Sequence, residues 1–250
     1  MLRWWATFAL VIATVVPLPA QRPEVLVSAA ASLADVMGTI ARIYEMRTGT
    51  RVVVNTGASN TLARQIAAGA MVDLFISADE AQMGTLRDEV VANTTVDLLS
   101  NQLAVVVPAD RPRTLRSARE LTDAAFRRIA IGDPAAVPAG VYAKAYLQQL
   151  GIWPAVSGKI VPTASVRLAL AAVENGAADA AIVYRTDLDA AHRASLAFAI
   201  PLAGGPRIIY PAAVIRSGRN REGATRLLAW LRGTEAAGIF KGAGFIPLGQ

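Results

Sequence analysis

The chain has 250 residues, 54% of them hydrophobic, which is enough to bury one large core or two smaller ones. It has no cysteine, which excludes disulfides, thiolate metal sites and thiol catalysis, and its single histidine, His192, cannot build a histidine metal cluster. A net charge of +6 suits an anionic partner or a soluble basic surface, but the basic residues are scattered without a run or an interleaved aromatic series, so nucleic acid is not expected as a partner.

The N-terminus reads as an export signal. Arg3 supplies a positive charge, an apolar run reaches Val16, and Pro17-Leu18-Pro19-Ala20 precedes the polar segment Gln21-Arg22-Pro23-Glu24. The run is shorter than the about 20 apolar residues that a spanning helix needs. A signal peptide over residues 1–20, cleaved near Ala20, and a mature protein outside the cytoplasm, in the periplasm, are therefore expected.

Beyond Glu24, β-rich and helical runs alternate. Val25–Ala29 reads as a strand, and Leu33, Val36, Met37, Ile40, Ile43 and Tyr44 fall at helical spacing within Ser32–Arg47, a helix that Gly49 stops. A strand at Arg51–Asn55, a helix including Leu62–Ala68, a strand at Leu74–Ser77 and a helix from Glu80 complete a βαβαβα series, the pattern of a parallel sheet flanked by helices. A second series follows: a strand over Gln102–Val107, a strand at Ile129–Ile131, a helix over Pro138–Leu150 with proline near its start, a strand at Lys159–Val161, a helix over Ser165–Glu174, and a strand at Ala180–Tyr184. Strands at Phe198–Leu202 and Arg207–Ile215 and a helix at Arg221–Leu231 lead to the end of the chain. Crossovers near Asn101–Val105 and Pro201–Arg207 divide these blocks. The expected lobes are residues 24–103 with 206–250 and residues 104–205.

Ligands of open parallel sheets bind beyond the carboxyl ends of the strands. Four strand-to-helix turns there consist largely of small neutral residues: Ser28–Leu33, Thr56–Thr61, Gly132–Gly140 and Pro162–Arg167. A helix start exposes unpaired backbone N–H groups and partial positive charge, which together suit an anion. Ser32 and Ser59 can add hydroxyl donors. Taken singly, such serines read as N-caps, and Ser32 with Asp35 resembles a capping pair. Tyr184, at a strand end, reads either as a core tyrosine or as a hydroxyl donor. Asp73, Asp79 and Asp133 lie near strand ends without an obvious base or nucleophile beside them and read as caps or turn residues. His192 reads as exposed, and Gly57, Gly132 and Gly140 form neither a P-loop nor a dinucleotide fingerprint.

These turns also carry a resemblance. The segments VSAAASL (Val27–Leu33), TLARQI (Thr61–Ile66), DLFISAD (Asp73–Asp79), GDPAAVPAGVYAK (Gly132–Lys144), Val166–Glu174 and AIVY (Ala181–Tyr184), with Gly244-Phe245 near the end, resemble the periplasmic molybdate-binding proteins of ABC transporters over nearly the whole mature chain. The resemblance implies an α/β, two-lobed periplasmic-binding-protein-like fold of type II. Each lobe would be a mostly parallel sheet flanked by helices, and the two would close by hinge motion about two crossovers. It also implies a ligand, molybdate or tungstate, held as an oxyanion by hydrogen bonds rather than by direct metal ligation. Ser32 and Ser59 of one lobe, and Ala139, Val166 and Tyr184 of the other, match the family's binding positions. Asn60 departs from the serine or glycine common in relatives and competes with Ser59 as the nearer donor. No cofactor is implied. The implied partner is a membrane permease, and the protein is expected to be a monomer. Two other readings remain open at this stage: a binder of another oxyanion such as sulfate or thiosulfate, and an exported hydrolase of anionic esters.

Overall fold

A computed structural model describes residues 23–249, so the expected signal segment, residues 1–20, lies outside the described residues. The chain begins with β1 (Glu24–Ala30), along which Val25, Val27 and Ala29 are buried, and passes through a single 3-10 turn, Ala31–Leu33, into α1 (Ala34–Thr48). Val36, Met37, Ile40 and Tyr44 form the buried stripe of α1, as their spacing dictates. Gly49 ends the helix in the left-handed conformation at φ 71°, its N–H donating to Glu45 O, a geometry that costs a Cβ-free residue little. Next come β2 (Arg51–Gly57), α2 (Ser59–Ala67), β3 (Leu74–Ile76), α3 (Glu80–Gly84) and β4 (Val96–Ser100). The middle of the chain holds β5 (Leu103–Pro108), β6 (Ile129–Gly132), α4 (Pro138–Gln149), α5 (Trp153–Val156), β7 (Ile160–Thr163), α6 (Val166–Glu174), β8 (Ala180–Tyr184) and β9 (Ala194–Ala199). β10 (Tyr210–Val214), α7 (Arg221–Leu231), α8 (Thr234–Gly242) and β11 (Ile246–Pro247) close it.

These strands form two sheets, ordered β11-β4-β10-β3-β1-β2 and β7-β6-β8-β5-β9. Each keeps a parallel set on one side, with β1 pairing β2 and β3, and β6 pairing β7 and β8. Antiparallel pairing extends both. β10 runs against β3 and β4, so β4 points the same way as β1, whereas β11 is reversed. In the second sheet only β5 is reversed, pairing antiparallel with both β8 and β9. The chain therefore changes sheet twice, once over residues 101–102 and once over residues 200–209, and the terminal block returns to the first sheet. The two crossings are tied together, with Gln102 Nε2 donating to Ile200 O at 2.7 Å. The result is a pair of α/β lobes.

Besides the two-residue β11, which was not foreseen, three strands depart from expectation. β4, not foreseen, has only a short apolar centre, Leu98-Leu99, behind a polar Asn93-Thr94-Thr95 approach. β9 occupies Ala194–Ala199 rather than Phe198–Leu202, because Ile200 N makes a last bond to Leu103 O and Pro201 has no N–H with which to continue. β10 begins at Tyr210 rather than Arg207, whose exposed guanidinium instead meets Glu80 and Asp97.

Candidate functional site

The carboxyl ends of the parallel strands deliver the site. β1 runs into the 3-10 turn that carries Ser32, and β2 runs into Ala58 and the first residue of α2, Ser59. In the second lobe, β6 leads through Val137 into α4, with Pro138 and Ala139 as its first residues, and β7 leads through Ser165 into Val166, the first residue of α6. β8 ends on Tyr184. All five expected residues, Ser32, Ser59, Ala139, Val166 and Tyr184, line one small cavity between the lobes, together with Ala30, Ala31, Ala58 and Ala78 of the first lobe and Val137 and Pro138 of the second. Among the described residues, no charged side chain lines it. All five expected residues are buried, none above 4% exposure, so the two lobes are closed over the space.

Three starts of the helical segments around this cavity lack a side-chain cap: the turn at Ser32, α2 and α4. The capping reading of Ser32 is thereby corrected. Its Oγ lies 2.9 Å from Tyr210 Oη, and Asp35 is drawn instead to Arg167. Only α6 is capped, by Ser165 Oγ accepting from Leu168 N. Ser59 Oγ accepts from Ala78 N at 2.9 Å, which leaves its own proton free for the cavity. The first-turn amides of Ala139 and Val166 have no intrahelical acceptor by position. Tyr184 Oη is buried without a hydrogen-bond partner, and burial, reinforced by the nearby Tyr210, Tyr142, Asp79 and Asp187, pushes its ionisation well up, so it stays a protonated donor. Converging helix starts, hydroxyls and no acid make a donor-rich surface suited to a compact anion. Asn60 sits one residue into α2 but does not line the cavity, so Ser59 is the nearer donor.

The acidic residues near strand ends do structural work. Asp73 accepts from Leu26 N and Asn220 N, Asp79 caps α3 through Gln82 N, and Asp133 Oδ1 accepts from Ala135 N. His192 is exposed.

Three neighbours of the site were not legible as functional: Arg167, Asn101 and Tyr210. Arg167 follows Val166 and clasps both lobes. Its Nη2 lies 2.7 Å from Asp35 Oδ2 on α1, and its Nε lies 2.9 Å from Asp187 Oδ1 in the second lobe. Asp187 is wholly buried, and desolvation pushes its carboxyl up to about 6 against the pull of Arg167 and of Tyr184 N, which donates to it at 3.0 Å. Asp35 is 71% exposed, so the interlobe pair is worth at most about 1 kcal/mol. Asp35→Asn is accordingly expected to speed ligand release about two- to fivefold in stopped-flow dissociation. An unchanged off-rate would show that the pair does not help hold the lobes closed.

Two α/β lobes joined by two crossings, with helix starts from both meeting at a buried, uncharged cavity, define a closing ligand-binding protein. The chain belongs to the bacterial extracellular solute-binding proteins, whose family model matches residues 25–246. It is 40% identical over 232 residues to the molybdate-binding protein ModA of Escherichia coli (strain K12), covering 90% of each chain, and 31% identical over 234 residues to ModA of Haemophilus influenzae, covering 89% of each. Among solved structures, the periplasmic molybdate-binding protein of Azotobacter vinelandii superposes with a TM-score of 0.81 at 25% identity, over 91% of this chain and all of that one. As a member of this family the protein is a solute binder of a transport system, not an enzyme, and what occupies its cleft is cargo rather than a cofactor.

Proposed function

We propose that this protein captures molybdate, and with it tungstate, outside the cytoplasm and presents it as a closed monomer to the membrane permease of an ABC transporter. One observation carries the reading: Ser32, Ser59, Ala139, Val166 and Tyr184 meet around a single interlobe cavity, in a chain 40% identical to a molybdate-binding protein. The lobes are taken as residues 24–103 with 206–250 and residues 104–205, and export as directed by residues 1–20. Ser32 and Ser59 donate from one lobe, and the amides of Ala139 and Val166 with the Tyr184 hydroxyl donate from the other. A lining without an acidic acceptor favours a fully deprotonated dianion. Hydrogen phosphate would bring a proton with no acidic acceptor to receive it, and an unmatched buried polar group costs about 1–3 kcal/mol.

Sulfate shares the dianion chemistry, so only fit to the cavity separates it from the larger molybdate. A thermal-shift panel tests this directly. Molybdate and tungstate are expected to raise the melting temperature strongly, and sulfate, thiosulfate, phosphate and simple carboxylates weakly or not at all. A larger shift with sulfate than with molybdate would replace the proposed cargo, and no shift with any oxyanion would remove the proposal.

A further inference from the structure

Behind Ser32 lies a buried chain of side chains drawn from the first crossing, the second lobe and the strand that follows the second crossing. Asn101 occupies the first crossing, and Tyr210 is the first residue of β10 after the second. Asn101 Nδ2 donates to Thr186 Oγ1 of the second lobe at 2.9 Å and to Tyr210 Oη at 3.2 Å, and Tyr210 Oη meets Ser32 Oγ at 2.9 Å. Asn101, Thr186, Tyr210 and Ser32 are all at least nine-tenths buried.

We propose that Asn101 and Tyr210 are positioning residues that fix Ser32 as a proton donor toward the cavity, and so set the preference for fully deprotonated oxyanions. The proposal rests on the oxyanion-binding reading above. The direction of the first link follows from donor inventory. Asn101 Oδ1 accepts from Gln102 N at 2.8 Å, which orients the amide, because the flipped amide would set N–H against N–H. Its NH2 group then holds two protons and no lone pair to offer, and both protons are used. Tyr210 Oη therefore accepts from Asn101, and in the proposed wiring its single proton goes to Ser32 Oγ, 2.9 Å away. Having accepted, Ser32 turns its own proton elsewhere, and Ser32 lines the cavity. Each link polarises the next, strengthening the final donor. Burial pushes the Tyr210 hydroxyl's ionisation up, so it does not lose that proton. With one of its two lone pairs engaged by Tyr210 and its proton turned to the cavity, Ser32 meets an anion as a donor and has less acceptor capacity to offer a hydrogen oxyanion.

The test uses the wild type, Tyr210→Phe, Ser32→Ala and the double variant. Each is titrated calorimetrically with molybdate and with inorganic phosphate near neutral pH, after a thermal melt shows it folded. Tyr210→Phe keeps the ring and its edge contact with Phe245, centroids 5.8 Å apart. Molybdate affinity is expected to fall about tenfold, the ordinary worth of one hydrogen bond. The ratio of molybdate to phosphate affinity should fall as well, since Ser32 regains a lone pair that can accept. In the Ser32→Ala background the same change should cost no more than about twofold, because the two residues act as one unit.

Unchanged affinity and ratio in Tyr210→Phe, or an equal loss in the Ser32→Ala background, would overturn the wiring. Should Tyr210→Phe fail to fold, Asn101→Leu removes the donor that sets the direction. It is expected to lower the same ratio, and an unchanged ratio there overturns the proposal equally. A wild type that binds no oxyanion would strike the function reading itself and this proposal with it.

Discussion

Gly140→Ala is expected to lower stability by about 3 kcal/mol, toward the upper end of what overpacking a core costs, and to weaken oxyanion binding as well. Gly140 is the third residue of α4 and packs directly on the end of β6. A Cβ on it would lie 1.8 Å from Gly132 O, 2.4 Å from Gly132 C and 2.9 Å from Asp133 O, and all three are backbone atoms that cannot rotate away. The reverse change is blocked too, because a Cβ on Gly132 would lie 2.6 Å from Val137 Cγ1. Strand end and helix start therefore touch backbone to backbone, and this contact sets Ala139 at the cavity. Relief would require the first turn of α4 to move outward, taking the Ala139 amide with it. Denaturant unfolding of the free variant reads the stability, and calorimetry of the folded variant reads the affinity. A contrast lies within the same molecule: a Cβ on Gly38 of α1 meets nothing within 4 Å, so the same substitution there meets no clash. Wild-type stability in Gly140→Ala would mean that the two elements do not need this approach.

That contact also illustrates what sequence can and cannot reveal. The four small-residue turns were legible because a helix start declares itself locally, through the switch from period-two to period-3.6 hydrophobicity. The resemblance then singled out five positions, and the fold brings all five to one cavity. The partners of those positions were not legible. Ser32 and Tyr210 are separated by 178 residues, Asn101 and Tyr210 by 109, and Arg167 and Asp35 by 132. No local pattern marks such pairs. In the sequence Tyr210 reads only as part of the strand Arg207–Ile215, and Arg167 only as the last residue of the turn Pro162–Arg167. Local logic was misleading at Ser32, where the Ser-x-x-Asp spacing suggests a cap. The chain instead inserts a 3-10 turn there, and Tyr210 and Arg167 each take one member of the supposed pair. The reversed strands β5 and β10 were also hidden, since an apolar run does not declare its direction.

Net charge was the most conspicuous hint of an anionic ligand, yet among the described residues no charged one lines the cavity. Arg167 comes nearest in sequence, beside Val166, but its guanidinium is engaged by Asp35 and Asp187. Neutral donors bind through geometry, and a binding protein that must hand over its cargo gains from that. In the proposed binding mode, separating the lobes would remove the Ala139, Val166 and Tyr184 donors together, with no full positive charge among the described lining residues to retain the ion.

Because so few donors share the load, each one matters, and Ser59→Ala is expected to lower molybdate affinity roughly ten- to hundredfold, equivalent to a charge-assisted hydrogen bond of about 1.5–3 kcal/mol. Ser59 has two connected tasks. Its oxygen accepts from Ala78 N at 2.9 Å, just beyond the end of β3, and its proton is thereby directed away from that amide. Alanine removes the donor from the cavity and also orphans the Ala78 amide, so the free protein should lose about 1–3 kcal/mol of stability. The two losses are separable. Denaturant unfolding without ligand reports the orphaned amide, and calorimetric titration of the folded variant reports the missing donor. Ser59→Thr keeps both hydroxyl functions and should recover most of the stability where its methyl group fits, with affinity following the hydroxyl's position. A folded Ser59→Ala variant that binds molybdate as tightly as the wild type would remove Ser59 from the site, and with it the claim that the first lobe contributes two hydroxyls.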